Sequence, residues 1–226
     1  MSISQNIEEV KSKLPSSVKL LAVSKTKSLE EMEEAYKVGI RDFGENKVQE
    51  MLKKQENFHE DVNWHFIGKL QSNKVKYVVG KVHLIHSLSS IKLLKQIEKE
   101  YEKGGEIAQV LIQINIGREE SKSGILLEEL ENLIIEVEKS NYIKVKGIMV
   151  IIPKGDEASN SKYFRQTKEV FDSLKKRKLK NIDMEVLSMG MTHDYTIAVS
   201  EGSNLVRIGE GIFGKRNYNL GGENNE

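Results

Sequence analysis

The sequence predicts a single (β/α)8 barrel of the α/β class. Three observations lead there. Eight short apolar runs alternate with helix-like segments along the chain, the rhythm of parallel βα units. The 226 residues supply one substantial core and fall just under the ~250 typical of this barrel. No Gly-x-Gly-x-x-Gly follows the first strand, which counts against the competing doubly wound open sheet.

The elements follow in order. Residues 4–14 carry Ile7, Val10 and Leu14 at helical spacing and stop at Pro15. Leu20 to Lys25 read as the first strand. Ser28 with Glu31 three residues on is a capping-box pattern that opens a helix to Val38, ended by Gly39. Ile40–Gly44 is the second strand, followed by a helix through Lys54, and Trp64–Gly68 is the third, followed by a helix over Ser72–Val79. Val82–Ser87 and a helix over 89–103 come next, then the β-branched run Ala108–Ile116 and a helix over 126–139. Val145–Ile152 ends at Pro153 and leads to a long charged helix over 158–178. Met184–Leu187, a helix near 193–201 and Leu205–Gly209 complete the barrel. Residues 1–220 are thus expected to form one domain, with Gly221–Glu226 as a disordered tail.

Composition narrows the function. Charged residues are 31%, hydrophobic ones 38%, and the formal charge is +1, so no global bias toward nucleic acid or membrane exists. The start has neither a basic nor an apolar leader region, and no apolar run is long enough to span a bilayer. With no cysteine, disulfides, thiolate metal sites and cysteine nucleophiles are excluded. The histidines show no metal-ligand spacing, so no metal is expected. A cytoplasmic enzyme or carrier fits.

In a (β/α)8 barrel the chemistry lies at the C-terminal ends of the strands. Strand alternation puts Leu21, Val23 and Lys25 on one face, so Lys25 continues a line of core-facing side chains. Partial desolvation there, with Lys27 adding like-charge repulsion, lowers an amine pKa and frees it to attack a carbonyl. A solvated lysine past a strand end is the bland alternative. The loops Ser188–Thr192 and Gly209–Gly211 follow strands seven and eight, where such barrels hold phosphate on glycine N–H groups. Thr192 stands at the start of the expected helix. Arg207 points into the barrel mouth and needs a partner, which is either an acidic neighbour or a ligand. Pyridoxal 5′-phosphate (PLP) supplies an aldehyde, a phosphate and an acceptor nitrogen together, although other phosphorylated carbonyl compounds compete. His65, between Trp64 and Phe66, reads as a hydrogen-bonded core residue, and His86 and Ser87 as support for the site.

Several motifs carry a resemblance. They are Ala22-Val23-Ser24-Lys25-Thr26-Lys27, Phe43-Gly44-Glu45-Asn46, Trp64-His65-Phe66-Ile67-Gly68, Lys122-Ser123-Gly124, Leu187-Ser188-Met189-Gly190-Met191 and Val206-Arg207-Ile208-Gly209. In this order the chain resembles the YggS/PROSC family of PLP-binding proteins, which is similar to the N-terminal barrel of alanine racemase. The resemblance implies that Lys25 carries PLP as a Schiff base and that Arg207 faces the pyridine nitrogen. It places Asn46 near the ring, and Ser188, Thr192, Gly209 and Glu210 around the phosphate. Thr192 stands where the family usually has serine, which keeps the hydroxyl. Glu210 stands where many members have threonine or serine, so its carboxylate is expected to turn outward and leave only its N–H.

An arginine opposite the ring nitrogen leaves that nitrogen unprotonated and weakens the ring as an electron sink. With no second domain expected, the mouth is open to water, which suits carbanion chemistry poorly. The resemblance therefore implies a PLP homeostasis or carrier protein without robust turnover, handing PLP to PLP-dependent apo-enzymes. Without the dimerising second domain of the racemases, a monomer is expected. A PLP-dependent amino-acid racemase is the alternative, and a Schiff-base aldolase the third reading.

Overall fold

The structure, a computed structural model, describes residues 2–215. The expected tail at 221–226, and residues 216–220 before it, lie outside that range. Eight parallel strands close into a barrel in sequence order, β1 (Lys19–Val23), β2 (Asp42–Glu45), β3 (Asn63–Phe66), β4 (Leu84–Leu88), β5 (Ala108–Ile114), β6 (Ile143–Val150), β7 (Ile182–Ser188) and β8 (Leu205–Ile208). The helices are α1 (Ile3–Ser12), α2 (Leu29–Lys37), α3 (Val48–Gln55), α4 (Ile91–Gly104), α5 (Leu130–Glu138), α6 (Glu157–Lys175), α7 (Tyr195–Ser200) and α8 (Glu210–Phe213).

Local chemistry accounts for most boundaries. Ser28 caps α2 as its spacing predicts, accepting from the Glu31 N–H at 3.2 Å while Glu31 Oε2 accepts from the Ser28 N–H at 2.9 Å. After β3 the chain makes only 3-10 turns over Ser72–Tyr77, not a full α-helix. β1 stops at Val23 rather than Lys25, and β6 begins at Ile143, two residues before the expected start. Gly209 opens α8 instead of ending β8. β6 can lie against β7 because Gly147 (φ +151) has no side chain, and a Cβ there would sit 1.8 Å from the Val186 carbonyl oxygen.

Two layers of packing follow. Between strands and helices lies the main apolar core, with Phe43, Phe66, Ile85, Ile97 and Phe164 among its fully or almost fully buried members. Each such side chain contributes roughly 1.5–3 kcal/mol of transfer free energy. Inside the barrel a smaller cluster, Leu84, Leu111 and Met149 with Ile151 and Val186, fills one level. Strand period two then places His86, Gln113 and Ser188 on the same inward face, one level nearer the strand C-termini. The barrel is therefore apolar in its middle and polar toward its mouth. At the β7–β8 join the ladder registers one residue pair, Ser188 with Leu205. Backbone N–H groups of Asn204, Met189 and Arg207 extend the seam by donating to Leu187 O, Leu205 O and Gly190 O at 3.3, 3.2 and 3.0 Å. There the Ser203 hydroxyl reaches the carbonyls of Leu187, Met189 and Leu205 at 3.2, 2.7 and 3.1 Å.

Candidate functional site

Lys25 sits on a turn immediately after β1 and is half-buried. The Ser24 N–H still pairs with the Gly44 carbonyl at 3.1 Å, but the Ser24 carbonyl accepts from the Lys27 N–H at 2.9 Å, and the chain reverses. Lys25 and Thr26 are the central residues of this turn. Thr26 adopts φ +65, the left-handed region that type II turns require and that a β-branched residue seldom takes. A buried ion cluster holds the turn from behind. Lys54 on α3 donates to Ser24 O at 2.8 Å, to Glu45 Oε1 at 2.7 Å and to Glu50 Oε1 at 2.8 Å. Ser24 Oγ donates to Glu45 Oε1 at 2.6 Å, and the Thr26 N–H to Glu50 Oε1 at 2.5 Å. The peptide groups on both sides of Lys25 are thus anchored. Burial raises the Glu45 carboxyl above the usual carboxylate range, and the charge and hydrogen bond of Lys54 oppose that. Lys27 turns away, paired with Glu31 at 2.9 Å and donating to Phe213 O at 3.0 Å. Its charge is offset by Glu31, which removes the unopposed repulsion that the sequence suggested.

Arg207 lies inside the barrel, 3% exposed. Its Nη1 donates to Ser188 O at 2.8 Å and Ser188 Oγ at 2.7 Å, and its Nη2 to Val150 O at 2.9 Å. The Nε–H and the second Nη2–H take no part in these bonds. Arg207 forms no salt bridge within the described residues, so the acidic partner considered from sequence is replaced by neutral acceptors. Burial pulls its pKa down to about 10, and the charge of Asp194 works the other way, so it remains a cation at neutral pH. Below it a polar chain crosses the barrel. Ser188 Oγ lies 3.2 Å from His86 Nδ1, His86 Nε2 lies 3.0 Å from His65 Nδ1, and His65 Nε2 lies 2.9 Å from Asp42 Oδ1. Ser188 thus serves Arg207 inside the barrel, at the C-terminal end of β7.

The remaining candidates lie on neighbouring strand ends. Leu21 on β1 pairs in register with Arg207 on β8, and a Cβ on Gly209 would lie 3.3 Å from Val23 Cβ. Gly209 therefore abuts the strand end that presents Lys25. Asn46 follows β2, half-buried, with its Oδ1 buried and lacking a hydrogen-bond partner. The Thr192 hydroxyl accepts from the Gly211 N–H at 3.1 Å and ties the β7 loop to the β8 loop. It lies three residues ahead of α7, not at the helix start that the sequence suggested. Glu210 is exposed. Lys25, Asn46, Thr192, Arg207, Gly209 and Glu210 thus share the arc formed by β7, β8, β1 and β2.

Sequence reasoning missed Glu45, Glu50 and Lys54, whose only linear trace is a glutamate closing a strand. It also missed Asp42 at the far end of the histidine chain. Two other cations are committed to local partners. Lys122 contacts Glu119 at 2.6 Å and Ile152 O at 3.0 Å, and Arg177 forms a bidentate pair with Glu131 at 2.7 and 2.8 Å. Among the described residues no cluster of three or more His, Asp or Glu could hold a metal.

Comparison with known proteins agrees with the barrel fold. Residues 1–217 match the alanine racemase N-terminal domain family. The pyridoxal phosphate homeostasis protein of Aquifex aeolicus is 44% identical over 202 residues, covering 88% of each chain. The chain belongs to the YggS/PROSC family of pyridoxal phosphate homeostasis proteins. The Escherichia coli K12 member is 37% identical over 231 residues, covering 96% of this chain and 97% of the other. PipY of Synechococcus elongatus, solved with PLP bound, superposes with a TM-score of 0.87 at 32% identity and covers 94% of this chain and 100% of its own. Alanine racemase of Corynebacterium glutamicum shares the barrel at a TM-score of 0.77 and 15% identity, a likeness of fold alone.

Proposed function

We propose that this YggS/PROSC family member holds PLP on Lys25 as a Schiff base and serves PLP homeostasis as a cytoplasmic, monomeric carrier that supplies apo-enzymes. The observation that carries the reading is the juxtaposition of the anchored Lys25 turn after β1 with the buried cation Arg207 on β8, the register neighbour of β1. The orphaned Asn46 Oδ1 and the loops joined by Thr192 and Gly211 fit a ligand with a polar ring and an anionic end. The PLP-bound PipY structure supports the same cofactor.

When bound, PLP supplies an electrophilic aldehyde and a conjugated ring. Lys25 supplies the amine, and its condensation with the aldehyde releases one water. The uncommitted N–H groups of Arg207 donate toward the ring nitrogen and keep it unprotonated, so the ring is a weak electron sink and turnover is low. Asn46 lies beside the ring. Thr192 and the backbone of Gly209 and Glu210 receive the phosphate, while the exposed Glu210 carboxylate stays in solvent.

The test is spectroscopic. Purified protein mixed with PLP is expected to show a Schiff-base absorbance band that borohydride fixes on Lys25 and that Lys25→Ala abolishes. Arg207→Ala is expected to weaken binding and shift the band. Label recovered on another lysine, with the Lys25→Ala spectrum unchanged, overturns the assignment. Amino-acid racemisation well above background would favour the racemase alternative.

A further inference from the structure

The chain from Arg207 to Asp42 admits only one arrangement of hydrogens while both histidines are neutral. Asp42 is an acceptor, so His65 carries its hydrogen on Nε2, facing Asp42 Oδ1 at 2.9 Å. His65 Nδ1 is then a lone pair, so His86 must donate to it from Nε2 across 3.0 Å. His86 Nδ1 in turn accepts, and among the described residues the hydrogen within reach is that of the Ser188 hydroxyl at 3.2 Å. Ser188 Oγ is left free to accept from Arg207 at 2.7 Å. Every hydrogen in the chain points from the guanidinium toward Asp42.

We propose that His65 and His86 are positioning residues for Arg207, and that one proton taken up by His65 reverses the chain and alters the environment of bound PLP. The inference rests on the reading that Arg207 meets the ring nitrogen. His65 is where the proton lodges, because it faces a carboxylate. His86 is wholly buried, and burial first, then the charges of His65, Arg207 and His83, hold its pKa well below the ordinary histidine value. The groups facing His65 are Asp42 on β2, His86 on β4 and His83, whose ring centroid is 5.3 Å away. Lys19 at the start of β1 adds its charge at Asp42 and His83, and Asn63 donates to Asp42 at 3.4 Å. Solvent reaches this end of the barrel. The Asp42 side chain is 22% exposed, and clefts of about 450 and 530 Å³ are lined by Asp42 and by Asn63 with His83.

Proton balance defines the change. One proton enters from solvent and none leaves. His65 then carries hydrogens on both nitrogens and donates to Asp42 and to His86 Nε2. His86 remains neutral but moves its hydrogen to Nδ1 and donates to Ser188 Oγ. Ser188 now accepts from both His86 and Arg207, and its own hydrogen turns out of the chain. The cation gains a positively charged neighbour at the far end of the relay.

The experiment has two arms. Nitrogen-15 NMR of the histidine rings in PLP-free protein is expected to find His65 and His86 as Nε2–H tautomers at neutral pH. On acidification His86 is expected to convert to Nδ1–H in the same titration in which His65 gains its second proton. An Nδ1–H tautomer at neutral pH, or a His86 ring that ignores the His65 titration, overturns the inference. In the second arm, the absorbance of PLP-loaded protein is expected to change through that same titration. Asp42→Asn is expected to displace the step, because it removes the carboxylate that accepts from His65 at 2.9 Å. His65→Leu is expected to abolish the step, and Asp42→Asn alone decides the matter if that variant does not fold. PLP fixed on Lys25 with a spectrum indifferent to the His65 titration also overturns the inference. If the tautomer switch occurs but borohydride fixes no PLP on Lys25, the functional reading falls and the relay stands.

Discussion

Lys54 donates to the carbonyl of Ser24 at 2.8 Å, so a helix side chain grips the peptide group immediately ahead of Lys25. Glu45 is fully buried beneath it. Lys54→Met leaves that carboxylate without its counter-ion, a loss of about 3–5 kcal/mol for a broken buried pair. Protonation limits the damage. The folded-state pKa of Glu45 is already raised by burial and rises further once Lys54 is gone, so stability is retained below the unfolded carboxylate pKa and lost as pH climbs through the folded value. Urea denaturation should therefore find Lys54→Met weaker relative to wild type at pH 8 than at pH 5. A penalty independent of pH would mean that Glu45 is not the group responsible.

Thr26 holds φ +65 with its N–H fixed by Glu50. A left-handed conformation costs an L-residue about 1–2 kcal/mol, against the roughly 0.5–1 kcal/mol of conformational entropy that glycine gives up on folding. Thr26→Gly should accordingly raise stability by about 0.5–1 kcal/mol. It should also loosen the presentation of Lys25 and speed PLP release, measured by stopped-flow absorbance. A less stable Thr26→Gly protein would rule out the strain.

His86 dictates a pH slope. Its folded-state pKa is depressed, so between that value and the ordinary 6.5 the unfolded chain binds a proton that the folded chain refuses. Stability is full above pH 6.5 and falls as pH drops below it, by at most about 1.4 kcal/mol per pH unit for one proton. Asp42 has the same sign in a lower window. Burial alone would raise its pKa, but the hydrogen bond and charge of His65 outweigh it, so its contribution is lost as pH falls below 3.8. His86→Asn should flatten the upper slope in denaturant midpoints taken from pH 7 to pH 5. An unaltered slope would assign it to another group.

Thr192 accepts the Gly211 N–H at 3.1 Å, which couples the two loops proposed to receive phosphate. Thr192→Val keeps the shape and removes the hydroxyl. Loss of one such bond is worth about 1 kcal/mol, so the PLP dissociation constant should rise roughly fivefold, and Thr192→Ser should restore it. Equal binding by the valine and serine variants would show that the hydroxyl contributes nothing.

Much of the barrel was legible because buried parallel strands announce themselves as apolar runs and helices as capped, periodic ones. Ser28 and Glu31 gave the start of α2 directly. Lys25 and Arg207 stood out as cations where an apolar strand should end or continue. The strand end at Val23 was not visible, because the reversal at Ser24 depends on Lys54 thirty residues away. The same holds for the Glu45–Lys54 pair and for Asp42, His65 and His86, each on a different strand. Such partnerships are fixed by barrel closure, and no periodicity encodes them. The short α8 was hidden for a simpler reason, since four residues carry no recognisable pattern.

The single registered pair at the β7–β8 join has a mechanical consequence. Every other seam registers two or more residue pairs, while this one adds the side chains of Ser203 and Arg207 to its backbone hydrogen bonds. Because Arg207 both lines the proposed cargo site and stitches that seam, loading or letting go of cargo should tug on the stave that carries it.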